Sequence, residues 1–155
     1  MLDPATAPDL AEFLTLGVSL MAATRDRRMT VELTRCAAAR IQSDGRIVVA
    51  VPVPEGQRTL DNVERTGIFA LSAALPTSYR TLQLKGRDAV RTDWPEKDLA
   101  SSEHRARFVQ ALMEIGWPGH YASAFWSLEC QAVVFTASEI FDQTPGPDAG
   151  RLLSS

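Results

Sequence analysis

The chain has 155 residues, 45% apolar and 23% charged, with a formal net charge of −3. That length and balance suit one globular domain with its own core, spanning 1–155. The weak negative charge excludes a binder that works by neutralising phosphates, so no nucleic acid and no anionic membrane surface is an expected partner.

The opening, Met1 to Pro8, is proline-containing, and Asp9 then precedes Leu10, Phe13 and Leu14 at helical spacing. This predicts a short N-terminal helix over about 9–15, capped by Asp9. Gly17 to Thr24 reads as a first strand, and Arg25, Asp26, Arg27 and Arg28 as a solvated hairpin turn.

Met29 to Ile41 reads as one second strand. Its odd positions, Val31, Leu33, Ala37, Ala39 and Ile41, make an apolar face with Arg35 embedded in it. A charge on such a face either snorkels to the edge or pairs with a fixed anion. A hairpin at Asp44-Gly45 leads to a third strand, Ile47 to Val53, apolar on both sides. Such a strand is central or lies at a subunit interface, and a two-fold dimer is expected.

Gln57 to Thr66 predicts a short amphipathic helix stopped by Gly67. Its start, Gln57, Arg58 and Thr59, puts a guanidinium, a hydroxyl and free backbone N–H groups at the positive end of a helix. That is a candidate anion site, set against a plain N-cap with an exposed arginine. Ile68 to Leu75 is a fourth strand.

The fifth strand, Ser78 to Val90, has two unlike faces. Leu82 and Leu84 point one way, and Thr81, Gln83 and Lys85 the other. The polar row faces either solvent or a ligand. Pro95 and the acidic residues after it open a helix of roughly five turns reaching Gly116. Trp117 to His120 break it, Tyr121 to Trp126 fit no element, and Ser127 to Thr136 is a last strand before a turn-rich tail over about 141–155.

No P-loop, dinucleotide fingerprint, paired histidines or nucleophile elbow is present. His104 and His120 read as packing or surface residues, and no catalytic residue is assigned. Trp94, Trp117 and Trp126 flank breaks and read as core plugs ahead of ligand-stacking rings, though an aromatic beside a flavin-sized pocket would fit as well. Cys36 and Cys130 form no metal-ligand pair and read as reduced thiols of an intracellular protein; no metal site is expected. No apolar run approaches the ~20 residues of a membrane helix and no leader is apparent, so a soluble cytoplasmic protein is expected.

The element order is mainly β with peripheral helices, and it resembles the antiparallel split β-barrel of the pyridoxamine 5′-phosphate oxidase-related, FMN-binding proteins. The specific likeness lies in Thr77-Ser78-Tyr79-Arg80-Thr81-Leu82-Gln83-Leu84-Lys85-Gly86, similar to the Arg-Thr-x-x-x-Lys-Gly strand of short members. A second match is Phe141-Asp142-Gln143-Thr144-Pro145-Gly146-Pro147, followed by Ala149-Gly150.

The resemblance implies a homodimer with FMN in a shared groove. It implies that Gln57, Arg58, Thr59 and Arg35 hold the phosphate, and that Thr81 or Gln83 lies near the flavin ring, with Lys85 in the same row. True vitamin B6 oxidases carry a lysine further along the second strand, where this chain has Ala37, Ala38 and Ala39 before Arg40; they also use a C-terminal arginine and histidine. The expected function is therefore an FMN-dependent oxidoreductase of unknown small-molecule substrate. The alternative is a non-catalytic protein of the same fold, cofactor-free or holding haem or a deazaflavin.

Overall fold

The computed structural model describes residues 7–94, 100–120 and 129–154. The expectations placed on Pro95 to Leu99 and on Tyr121 to Trp126 lie outside these residues. The elements are α1 (Ala7–Thr15), β1 (Ser19–Arg25), β2 (Val31–Arg35), β3 (Ala38–Ile41), β4 (Ile47–Pro52), α2 (Gln57–Thr66), β5 (Phe69–Ala74), β6 (Thr81–Gly86), β7 (Val90–Asp93), α3 (Ala100–Glu114), β8 (Cys130–Phe135), β9 (Glu139–Asp142) and β10 (Arg151–Ser154). They build a six-stranded sheet, β10-β9-β6-β5-β1-β2, and a four-stranded sheet, β3-β4-β8-β7. Every pairing among the described residues is antiparallel.

Two expected strands each serve both sheets. The Cys36 amide donates to the Leu20 carbonyl at 2.9 Å in the larger sheet, and the next amide, Ala37, donates to Ala50 at 2.8 Å in the smaller one. The second strand is therefore β2 and β3, and alternation does not run through the junction. Val31 and Leu33, expected inside, are 62% exposed, while Thr34 is buried. The fifth strand divides likewise into β6 and β7. Gly86 sits at that transfer, where a Cβ would lie 2.5 Å from the Thr136 carbonyl oxygen and 2.6 Å from the Phe135 ring. The tail expected to be all turn contains β9 and β10, and Asp9 lies in the first turn of α1 rather than before it.

The core lies between the sheets, where Phe13, Leu20, Val49, Leu71, Leu84 and Phe135 are buried together. Phe69 and Phe135 pack with ring centroids 5.0 Å apart. All six residues of β4 are buried, as its two apolar faces predict, but the chain covers both faces itself. Ala50 joins Ala37 and Ala38 under Trp94 and Ala100, and Val48 joins Ala132 and Val134. The β4 argument for a dimer therefore falls away. The same packing accounts for the alanine run, because Ala37 and Ala38 are 1% and 2% exposed and fill core space.

His104 on α3 is a packing histidine, with Nε2 2.7 Å from the Val18 carbonyl oxygen. Burial holds its pKa below the ordinary 6.5; the Val18 carbonyl opposes this, and the nearby Arg107 charge adds to it. The folded chain thus prefers the neutral ring, while the unfolded chain takes up a proton below about pH 6.5. The His104 contribution is present above that pH and is lost as pH falls through the depressed folded value. Thermal midpoints measured from pH 7.5 to 5 should fall faster for the parent than for His104→Gln.

Candidate functional site

Alternation along β6 sends Leu82 and Leu84 into the core and leaves Thr81, Gln83 and Lys85 on the outer face of the six-stranded sheet. Register then decides what lies beside them. Gln83 is opposite Ser72, Ser72 is opposite Met21, and Met21 is opposite Arg35. Neighbouring strands lie about 4.8 Å apart, so this row spans roughly 14 Å from β6 to β2. Thr81, Ala74 and Ser19 form a parallel row on one side; Lys85, Ala70 and Ala23 form one on the other. Small half-buried residues thus make a shallow floor, with longer polar side chains around it.

Each rim residue has some engagement of its own. The Arg35 guanidinium donates to Ser19 Oγ at 3.3 Å and lies 5.9 Å from the Phe108 ring centre. Arg35 is therefore on the outer face and partly wet, not a charge embedded in the core. Thr81 Oγ1 donates to the Tyr79 carbonyl at 3.0 Å and keeps its lone pairs for another donor. Gln83 Oε1 accepts from Gln143 Nε2 at 3.5 Å, which leaves the Gln83 amide hydrogens for a ligand. The Lys85 ammonium lies 4.4 Å from the centre of the Phe141 ring, which closes the β9 side of the face.

The start of α2 is a second feature, separate from this face. Gly56 donates its amide to the Pro52 carbonyl and Gln57 its amide to Pro54, so the loop consumes the first N–H groups. Gln57 Nε2 is bonded to Asp61 at 2.8 Å. Thr59 is fully buried, with Oγ1 2.6 Å from Thr34 Oγ1, so its hydroxyl serves packing. Arg58 projects outward, its side chain 83% exposed and 3.6 Å from the Glu32 carboxylate. That contact contributes little, about 0–1 kcal/mol, and does not tie the guanidinium down. Arg58 and Arg35 are not brought together: Glu32 and Thr34 turn to the inner side of β2, where α2 packs, and Arg35 turns to the outer side.

Sequence reasoning missed Ser19, Ser72 and Phe141. Alternation alone would have put Ser72 outward with Ala70 and Ala74, but only the register sets it beside Gln83. Phe141 stood in a stretch read as turn.

No protein-family model matches the sequence, and no curated protein matches it significantly. Solved structures do match. Group A Streptococcus HupZ superposes with a TM-score of 0.58 at 13% identity, covering 97% of this chain and 100% of that one. A pyridoxamine 5′-phosphate oxidase-related, FMN binding protein from Nostoc punctiforme gives 0.50 at 14% identity, over 95% and 87%. The fold is the split barrel of these proteins. HutZ, the heme storage protein from Vibrio cholerae, has the same architecture, with a TM-score of 0.50 at 12% identity over 87% and 92%. One split barrel is thus described as binding FMN and another as storing haem, so the ligand must be argued from side chains. Among the described residues no helix is long and apolar enough to cross a membrane, and Cys36 and Cys130 are free thiols.

Proposed function

We propose that this split barrel binds FMN on the outer face of the six-stranded sheet and is a flavin-dependent oxidoreductase acting on a small molecule. The observation that carries the reading is the row Gln83, Ser72, Met21, Arg35 on that face. Its polar set fits a flat heterocycle with a polar edge: amide and hydroxyl groups from Gln83 and Ser72, the accepting lone pairs of Thr81, a cation from Arg35, and a floor of alanine and serine that a ring can lie against. FMN would supply the electron transfer; the chain would bind it, orient it and shield one side from water.

The haem alternative needs an axial ligand. His104 is buried with Nε2 at the Val18 carbonyl, and among the described residues no histidine stands in the rows of this face, which favours flavin there. The absorbance spectrum of purified protein, with the mass of the released ligand, tests the choice: flavin bands support the proposal, and a Soret band or a colourless protein opposes it.

The paired variant Thr81→Val/Gln83→Leu removes two neutral hydrogen bonds, each contributing about 0.5–1.5 kcal/mol. FMN affinity should therefore drop by roughly 5- to 150-fold if the two act independently. Unchanged FMN titrations would move the flavin off this face.

A homodimer belongs to the same proposal, on new grounds. Val31 and Leu33 are each 62% exposed on β2, the edge strand that ends in Arg35, and Met29 in the turn before it is 66% exposed. A second copy seated there would bury them and border the groove. Sedimentation should show a dimer at micromolar concentration and a monomer for Leu33→Glu; a monomeric parent would count against the shared groove.

A further inference from the structure

One end of the outer face closes into a cavity of about 280 Å³, lined by Arg25, Ala70, Lys85, Gly86, Arg87 and Glu139 among others. Arg25 ends β1, Lys85 is next to last in β6 and Arg87 follows it, so the three cations come from either side of β5. Ala70 on β5 stands opposite Lys85 and contributes nothing beyond a methyl group, which leaves the floor between them open.

Arg25 donates to the backbone carbonyl of Asp26 at 3.2 Å. Lys85 rests on Phe141, although Glu139 is its register partner. Among the described residues none of the three is in an ion pair. Three cations against one carboxylate, in a chain of net charge −3, is a local excess that repels itself until an anion joins it.

We propose that this cavity binds the phosphate group of a small phosphorylated molecule, with Arg25, Lys85 and Arg87 as its ligands. Guanidinium forks match tetrahedral oxyanions two oxygens at a time, and an ammonium adds a point charge. The volume lies at the small end of ligand pockets, so it admits a compact phosphomonoester or the phosphate end of a larger one. The site adjoins Ile68, just beyond the C-terminal end of α2, and is distinct from the Arg58 end of that helix. It does not depend on the flavin reading.

The test is calorimetric titration of the purified protein with inorganic phosphate and phenyl phosphate at low ionic strength. Saturable binding is expected, weakened about tenfold or more in Arg87→Gln and in Arg25→Gln, each losing a charge-assisted bond. Arg58→Gln should bind like the parent. Circular dichroism checks that each variant is folded, and Lys85→Gln gives a third replacement if one is not. Repeating the titration with FMN and with riboflavin separates two sources. Phosphate that still binds beside FMN marks a free phosphorylated ligand; displacement by FMN and not by riboflavin assigns the cations to the flavin's own phosphate. A parent that does not bind phosphate saturably, or cation variants that bind like Arg58→Gln, would overturn the proposal.

Discussion

Leu84→Ala should cost about 2–5 kcal/mol of stability, the range for truncating a fully buried leucine where the surroundings collapse only in part. Leu84 is 0% exposed and belongs to the cluster that joins the two sheets. Its neighbour Gln83 points the other way, so Gln83→Leu should leave thermal unfolding nearly unchanged. For a domain of this size each kcal/mol moves the midpoint by about 2–4 °C, which makes the contrast roughly 4–20 °C against almost none. The comparison isolates the two faces of one strand at adjacent residues. If Gln83→Leu melted as early as Leu84→Ala, the outer row would be part of the protein's own packing and unavailable to a ligand.

Gly17→Ala should be about as damaging, through the backbone rather than through lost burial. Gly17 has φ +76°, and a Cβ there would lie 2.5 Å from the Arg107 carbonyl carbon and 2.6 Å from its oxygen. A left-handed conformation costs a residue with a Cβ about 1–2 kcal/mol, and overpacking adds about 1–3. Because the obstructing atoms are the backbone of α3, relief requires the helix to move as a body. That helix carries Phe108, against which Arg35 rests, so the outer face should loosen with it. Gly45 is the internal control: its φ is +81° but nothing lies within 4 Å of the Cβ position. Gly45→Ala should show the dihedral cost alone, by urea unfolding. Equal losses in the two variants would mean that α3 is not held against Gly17.

Some of this architecture was legible without coordinates because it is local. Period-two alternation put Leu82 and Leu84 inside and Thr81, Gln83 and Lys85 outside, and β6 obeys it. The stop at Gly67 followed from the need for a left-handed residue after a helix, and Gly67 has φ +65° with its amide on the Val63 carbonyl. The continuous apolar run of β4 announced burial on both faces. Each of these is a property of neighbouring residues, which the backbone's own geometry expresses whatever the rest of the chain does.

What the sequence left open were pairings between distant segments. Nothing near Cys36 or Gly86 marks a change of sheet, and a strand that changes sheet resets which side faces the core, so Val31, Leu33 and Arg35 were placed on the wrong side. β4's second face was assigned to another subunit because only the fold shows Trp94, Ala100 and Val134 covering it. The chain by itself determined the strand faces, the caps and the mainly β character, since these follow from side-chain periodicity and turn chemistry over a few residues. Only the tertiary structure decided that Arg35 stands in register with Gln83, that Arg58 stands apart from it, and that Arg25 and Arg87 meet across β5. Those are distances between residues far apart along the chain, and register between strands, not composition within them, sets such distances.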